Sequence, residues 1–270
     1  MFGGEDDYAP AALPAPIISY AEDGEIPLGG NIEPEQAFLG IYGSVGVLPL
    51  MRILGEAFRE ESGFEVEVVA GGKEDAIEAV DNREASVAVY DEARVSEVDG
   101  ARVIAIDGVK LIVNPSLDTD DIGFDLITDL FTDMDFMIGD DEVTLLIGAP
   151  ETHSRRMFEE IFPVRDESEG MLVSLVPVQA AVFDDDCDIV EAVLDDPLAV
   201  GVISIGTDAR GAKTLSVDSY LPEDEPYCAI RQVALYSNPP MNEAEKAFAS
   251  FIESGALNRV LTDNGYVSVK

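Results

Sequence analysis

The chain has 270 residues, of which 47% are hydrophobic, so it can bury the core of one large domain or of two lobes. It carries 55 acidic residues against 16 basic ones, a formal net charge of −39, which makes nucleic acids and anionic lipids poor partners. No apolar run reaches the ~18 residues that a membrane-spanning helix needs, so the sequence predicts no membrane span.

The acidity itself is informative. Self-repulsion of this size costs stability in dilute buffer and matters less once salt screens it. Acid-rich, lysine-poor surfaces suit high-salt environments, so the composition favours a halophilic source over an ordinary acidic protein.

The first 36 residues contain Ala-Pro steps and acidic side chains with little periodicity, which predicts a flexible acidic arm or tether outside the core. They show no export signal, so either the protein is not exported or its signal has been removed. Cys187 and Cys228 could pair in an exported protein or remain free thiols.

The first structural unit is an apolar run over 37–42, a small-residue turn over 43–46, and an amphipathic segment. Apolar residues at three- and four-residue spacings predict one helix face, formed by Leu50, Ile53, Leu54, Ala57 and Phe58. Such a strand–turn–helix unit directs backbone N–H groups into the crevice beyond the strand, where α/β sheets bind small anions. A plain strand-to-helix connection is the alternative.

The same pattern continues along the chain. A strand over 64–69, a helix with Ala76, Ile77 and Val80, and a strand over 86–90 predict a mostly parallel sheet. Two strands, 103–106 and 109–113, lead to a crossover at Pro115. The further predicted elements are a helix at 127–131, strand 143–148, a helix opening at 150–155, a helix over 189–194, strand 199–205, return strand 230–236 and two helices spanning 247–252 and 257–261.

The order of these motifs resembles the phosphate-binding proteins of ABC importers, members of the type II periplasmic binding-protein superfamily. The matching segments are Gly43-Ser44 with 47–50, the Gly-rich loop 70–72, the crossover 104–115, Thr152-His153-Ser154-Arg155, strand 197–204 and the C-terminal 264–267. The resemblance implies an α/β, two-lobed fold with a mixed, mostly parallel sheet in each lobe. Lobe I would comprise 37–113 plus 232–270, and lobe II 114–231.

The resemblance also implies a function. A solute-binding protein would capture an oxyanion, above all phosphate, in the cleft between the lobes and deliver it to an importer permease. Such a protein is expected to be monomeric, to have no enzymatic activity or cofactor, and to act outside the cell, in the periplasm or anchored at the cell surface.

The implied ligand-binding residues come from both lobes. Those from the first lobe are Ser44, Val45, Gly72, Lys73 and Asp91, and those from the second are Thr152, His153, Ser154 and Arg155. Ser44 and the second-lobe hydroxyls would donate hydrogen bonds, whereas Asp91 would accept one from the ligand's own proton. A carboxylate in that position rejects fully ionised sulfate and accepts protonated phosphate.

Several positions depart from the family pattern. Val45 replaces a Thr, Lys73 a Ser, Glu74 a Gly and His153 a Gly, and Gly148 stands where some members have an Arg. These departures leave two alternatives open. The chain could be a degenerate binding-protein-like domain that acts in protein interaction, adhesion or signalling, or it could bind another anion or an organic solute.

Individual residues also have competing interpretations. Lys73 could replace a lost donor with a full charge or be a solvated surface lysine, and Arg155 could contact the anion or pair with acidic neighbours. His153 beside Ser154 suggests a nucleophile and base, but no orienting third group is evident. Arg231, on the return strand, is expected to line the hinge or cleft.

No metal or nucleotide motif is present. The acidic run 118–123 places Ile122 at a required oxygen position of an EF-hand loop, which rules that motif out. The run 184–188 could gather a cation, although a solvated acidic turn capping a helix is the stronger interpretation. The sequence contains no Walker loop, dinucleotide fingerprint or zinc motif.

Overall fold

The computed structural model describes residues 18–20, 38–95, 100–132, 136–168 and 171–269. The predicted arm, 1–36, lies outside the described residues except for Ile18–Tyr20, which form an edge strand. Among the described helices, none has the length and apolar character to cross a membrane.

The described elements alternate between strands and helices. The strands are β1 (Ile18–Tyr20), β2 (Leu39–Ser44), β3 (Val66–Gly71), β4 (Val87–Glu92), β5 (Ala101–Val113), β6 (Asp121–Ile122), β7 (Met137–Ile138), β8 (Asp141–Glu142), β9 (Thr144–Gly148), β10 (Arg165–Ser168), β11 (Met171–Ser174), β12 (Ala181–Phe183), β13 (Ala199–Ser204), β14 (Lys213–Thr214), β15 (Ser216–Val217), β16 (Ile230–Tyr236) and β17 (Val267–Ser268). The helices are α1 (Leu48–Ser62), α2 (Lys73–Asp81), α3 (Phe124–Leu130), α4 (His153–Ile161), α5 (Asp186–Asp195), α6 (Glu243–Glu253) and α7 (Gly255–Asp263), and a short 3₁₀ turn covers Val45–Val47.

One mixed sheet joins the two lobes. In the described part of the chain its strand order is β1-β3-β2-β4-β16-β5-β13-β9-β12, with β14 and β17 also paired to β5. Strands β3, β2 and β4 are mutually parallel, as are β13, β9 and β12. The strands between these groups, β16 and β5, are antiparallel to their neighbours. The fold is therefore two parallel α/β lobes with an antiparallel crossover, as the resemblance implied.

The crossover contains the main difference from the predicted elements. The two predicted strands over 103–106 and 109–113 are one continuous strand, β5, of 13 residues. Its first part pairs with β16 up to Gly108, and its second part pairs with β13 from Val109. Gly108 has φ 150°, and a Cβ there would lie 2.3 Å from the Ala229 carbonyl oxygen. A glycine is thus required where the strand changes partner.

Each lobe has its own core. In the first, α1 packs between the sheet and the C-terminal helices, with the Phe58 ring 5.1 Å from the Phe248 ring in an edge-on arrangement. In the second, the Phe131 and Phe158 rings lie 4.7 Å apart. Ile104 and Ala105 belong to the first core, whereas Val109, Leu111 and Val113 belong to the second. We propose that the lobes meet at Asp107 and Gly108 rather than after Val113.

Candidate functional site

The first-lobe part of the site lies where β2 and β4 end. The Ser44 hydroxyl donates to Asp91 Oδ1 at 2.8 Å, and Arg231 Nη1 of β16 lies 3.4 Å from Asp91 Oδ2. The ends of parallel strands meet at one edge of a sheet, which brings Ser44 and Asp91 together. Arg231 reaches the same carboxylate from the crossover, in agreement with its predicted place in the cleft.

A cavity of about 620 Å³ opens beside this group. Gly46 and Asp91 line it from the first lobe, and Arg231 from the crossover. The second lobe contributes Glu159, Glu160, Ile161, Phe162, Pro163, Arg165 and Leu172. Burial raises the pKa of Glu160, although Arg231 and Arg165 act in the opposite direction. The cavity therefore holds both signs of charge between the two lobes.

The predicted second loop begins helix α2. Gly72 is the residue before its first turn, and Lys73 opens it. The Lys73 ammonium pairs with Glu92 and lies 4.9 Å from the centre of the Tyr90 ring. Its hydrogen bond to Glu92 raises the pKa of Lys73. Lys73 is thus neither a free donor nor a freely solvated lysine, because its ammonium group is paired with Glu92 at the end of β4.

Val45 lies at the start of the 3₁₀ turn that leads into α1, with 66% of its surface exposed. Its side chain points largely into solvent and has no polar group, so only its backbone could contribute to anion binding.

The second-lobe part of the site is built on the start of α4. Thr152 caps this helix: its Oγ1 accepts from the Arg155 backbone N–H at 3.3 Å and donates to the Ala149 carbonyl at 2.8 Å. This is the side-chain contact by which a threonine satisfies a backbone donor at a helix N-terminus. A Cβ on Gly148 would lie 2.1 Å from Thr152 Oγ1, so this cap leaves no room for a side chain there. An arginine at this position would displace the Thr152 side chain from its capping contact.

His153 joins the second lobe to the crossover. Its Nε2 lies 2.7 Å from Asp107 Oδ1, and its ring packs 4.7 Å from the Tyr266 ring of the C-terminal segment. Asp107 is buried, and its Oδ1 also accepts from the Gly108 backbone N–H at 2.7 Å. Burial and the nearby Asp107 charge raise the pKa of Tyr266. The imidazole hydrogen-bonds to Asp107 and not to Ser154, which argues against Ser154 and His153 acting as a nucleophile and its base.

Ser154 is buried, and its hydroxyl donates to Asp186 Oδ1 at 2.6 Å. Asp186 Oδ2 accepts from the Ser204 backbone N–H at 2.8 Å and from Thr207 Oγ1 at 3.1 Å. The prediction of a solvated acidic turn over 184–188 is therefore wrong for Asp186, because its carboxylate accepts hydrogen bonds from three donors of the protein. The same prediction holds for Asp185, which is exposed and caps α5 by accepting a hydrogen bond from the Cys187 backbone N–H.

Arg155 is engaged inside the second lobe. Its Nε pairs with Glu159 one turn later on α4, and its Nη2 donates to Ser174 Oγ at 2.9 Å. Arg165 of β10 donates to the second oxygen of Glu159 at 2.8 Å. Burial alone would raise the pKa of Glu159, but hydrogen bonds from Ser174, Arg155 and Arg165 outweigh it and lower that pKa. The guanidinium of Arg155 thus ties α4 to the β10–β11 hairpin.

Five of the predicted ligand-binding side chains share one feature, because each faces a carboxylate of the protein itself. The pairs are Ser44 with Asp91, Lys73 with Glu92, His153 with Asp107, Ser154 with Asp186, and Arg155 with Glu159. Sequence reasoning missed Asp107, Asp186 and Glu159. The four-residue spacing of Arg155 and Glu159 was the one local signal. The other partners are distant in sequence.

The described residues hold no group of three or more His, Cys, Asp or Glu side chains arranged for a metal ion. Cys187 and Cys228 are both free thiols, so the disulfide alternative is not formed. Burial raises the pKa of each thiol, which disfavours the reactive thiolate.

No protein-family model matches the sequence, and no curated protein matches it. Solved structures do resemble it. An ABC-type phosphate transport receptor from Vibrio cholerae shares 20% identity, covering 86% of this chain and 100% of its own, with a TM-score of 0.63. PstS from Borrelia burgdorferi shares 17%, covering 87% and 100%, with a TM-score of 0.60. A possible phosphate binding protein from Planctomyces limnophilus shares 15%, covering 87% and 94%, with a TM-score of 0.63. The chain therefore has the two-lobed fold of the type II periplasmic binding proteins, in the form that these phosphate receptors share.

Proposed function

We propose that the protein is a solute-binding component of an ABC importer and that it captures a protonated oxyanion, phosphate first, between its lobes. The observation that supports this function is the convergence of Ser44 and Arg231 on Asp91 at the interlobe cavity. The protein would act outside the cytoplasm, as a monomer, and pass its ligand to a permease.

The three residues supply complementary chemistry. The Ser44 hydroxyl and the Arg231 guanidinium are donors for ligand oxygens, and Asp91 is an acceptor for a ligand hydroxyl. On binding, Ser44 and Arg231 would turn from Asp91 to the anion. Asp91 would then accept a hydrogen bond from the protonated oxygen of the ligand. Sulfate carries no proton at neutral pH, so an oxygen of sulfate and an oxygen of Asp91 would face each other without a hydrogen bond.

The second lobe would contribute when the lobes close. The proposed additional contacts are Thr152, His153, Ser154 and Arg155 of the second lobe, together with Val45, Gly72 and Lys73 of the first. Several of these side chains first have to leave their carboxylate partners, and this exchange reduces the net gain on binding. We expect the affinity to be modest for that reason.

Net charge sets the conditions for binding. A body of charge −39 repels an anion at long range. The screening length falls from about 10 Å at 0.1 M salt to about 3 Å at 1 M, whereas short-range donors are much less affected. Phosphate should therefore bind better as salt is raised, which is the reverse of ordinary electrostatic capture.

Isothermal titration calorimetry in concentrated KCl at neutral pH tests the proposal. Phosphate should bind the wild type and sulfate should not. Ser44→Ala should weaken phosphate binding about tenfold, the effect of one lost hydrogen bond to an anion. Asp91→Asn should weaken phosphate binding and narrow the preference over sulfate, since an amide can donate to either anion. The control is Asp118→Asn, an exposed acidic residue of the second lobe.

A second candidate function is supported by a separate observation. Because five of the predicted binding side chains already face a carboxylate, the cleft could be a scaffold within an interaction, adhesion or signalling module. A folded protein that gives no heat with phosphate, arsenate, sulfate or molybdate would overturn the solute-binding proposal for oxyanions and support this second one.

A further inference from the structure

A second cavity lies on the opposite face of the crossover. It measures about 540 Å³, and its floor is formed by Ile106 and Lys110 of β5 with Ile230 and Gln232 of β16. Arg231, between the last two, faces the interlobe cavity instead. Since successive strand residues point to opposite faces of a sheet, the two cavities lie back to back and share no lining residue.

Six of the twelve residues that line this second cavity are apolar. The apolar lining residues are Ile106, Ile205, Leu221, Pro222, Ile230 and Val267. Small-molecule sites are usually concave cavities of several hundred Å³ that combine apolar walls with a few polar groups. The walls come from the second-lobe loop 221–225 and from the C-terminal strand β17, so the lining draws on segments of both lobes.

Lys110 is the basic residue of this lining. The residue is half-buried, and its ammonium group makes no hydrogen bond or ion pair with any residue in the described part of the chain. Burial lowers the pKa of Lys110, while Asp208, Asp186 and Glu223 act in the opposite direction. An ammonium beside apolar walls without a paired carboxylate gains from an anionic ligand group.

The rim of the cavity is acidic, which excludes a simple anion as the favoured ligand. Of its three acidic residues, Asp224 accepts from the Leu221 backbone N–H at 2.8 Å and Glu225 pairs with Arg94. Glu223 has no described hydrogen-bond partner, and it lies close enough to Lys110 to affect its pKa. The cavity thus presents one available cation and one available carboxylate beside an apolar wall.

From this arrangement we propose that the second cavity binds a small apolar zwitterion, an α-amino acid with a large aliphatic or aromatic side chain. The ligand carboxylate pairs with Lys110, the ligand ammonium faces Glu223, and the side chain packs on the isoleucines of the floor. The site is distinct from the oxyanion cleft, and the proposal does not depend on what that cleft binds.

Calorimetric titration of the full chain with L-leucine and L-phenylalanine in concentrated KCl tests the proposal. Either amino acid should bind, and isocaproate and isopentylamine, which each lack one of the two charges, should bind about tenfold more weakly or not at all. Lys110→Met and Glu223→Gln should each reduce amino-acid affinity about tenfold or more. Lys246→Met, which removes an exposed lysine of α6, is the matched control and should bind as the wild type does.

Thermal melting of every variant shows that it is folded before it is titrated. Unchanged amino-acid affinity in folded Lys110→Met would overturn the proposal. So would the absence of binding to the folded wild type, or equal binding of isocaproate and leucine.

Discussion

Ser44 and Asp91, 47 positions apart in sequence, are joined by a hydrogen bond of 2.8 Å between Oγ and Oδ1 at the ends of two neighbouring parallel strands. The bond orients the carboxylate toward the interlobe cavity and leaves Oδ2 to Arg231. The hydroxyl and the guanidinium thus form a compact group in which each oxygen of Asp91 has its own donor.

Neutralising Glu159 should destabilise the second lobe. Glu159→Gln leaves Arg155 buried without its counter-charge and should lower the free energy of unfolding by about 3 kcal/mol. Urea denaturation at neutral pH measures this loss. Glu167→Gln, which changes an exposed carboxylate on the neighbouring strand β10, is the control and should change stability little.

The same residue predicts a pH dependence. The pKa of Glu159 is lower in the folded protein than its ordinary value of 4.5, so its stabilising contribution is fully present above that ordinary value. The contribution is lost as the pH falls through the lowered folded pKa. The stability difference between the wild type and Glu159→Gln should therefore shrink in acid. A difference that stays constant from neutral pH down to strongly acidic conditions would contradict this linkage.

Asp186 should be essential to the packing of α4 and α5 against the end of β13. Asp186→Ala removes the acceptor of Ser154, the Ser204 backbone N–H and Thr207, and should destabilise the protein by about 2–4 kcal/mol. Asp186→Asn keeps one oxygen and should recover part of the loss. Asp188→Ala, an exposed change in the same helical turn, should be nearly neutral in the same urea titration. Equal stabilities of the two alanine variants would show that Asp186 is solvated after all.

His153 should stabilise the contact between the second lobe and the C-terminal segment. His153→Phe keeps an aromatic ring against Tyr266 but removes the hydrogen bond to buried Asp107, so we expect a loss of about 1–2 kcal/mol. A double-mutant cycle with Asp107→Asn isolates the pair. A coupling energy indistinguishable from zero would mean that His153 acts through packing alone.

The thermal midpoint should rise steeply with salt. The net charge of −39 makes screening of self-repulsion a major stabilising factor. Scanning calorimetry across a KCl series should show the rise mainly at low ionic strength, where the screening length changes most. Sucrose, which stabilises by exclusion and screens no charge, should not reproduce that profile.

Periodicity predicted the elements well where a face is buried. The spacing of Leu50, Leu54 and Phe58 identified α1, and the return strand has the predicted limits, Ile230–Tyr236. The two predicted strands of the crossover were joined in the structure because Gly108 allows β5 to pass from one partner to the next without a break. Local pattern shows which residues are extended, but it does not show which strand they will pair with.

The side-chain pairs of the site were much less predictable. Thr152 could be recognised as a helix cap because capping is a local interaction. The partners of His153 and Ser154 lie 46 and 32 positions away, and they become neighbours only when the sheet is assembled. In a chain with so many acidic residues, Asp186 looks like any solvated carboxylate until its donors are in place.

The route of the chain through the two cores has a consequence for biosynthesis. The first-lobe core combines residues from Leu39 to Ala105 with residues from Val233 to Tyr266, whereas the second-lobe core lies between Val109 and Ala229. As the polypeptide leaves the ribosome, the segments of the second core are all available before α6 and α7 have been made. The second lobe can therefore fold while the first still exposes the apolar face of α1, and the last residues to be synthesised complete the lobe that began first.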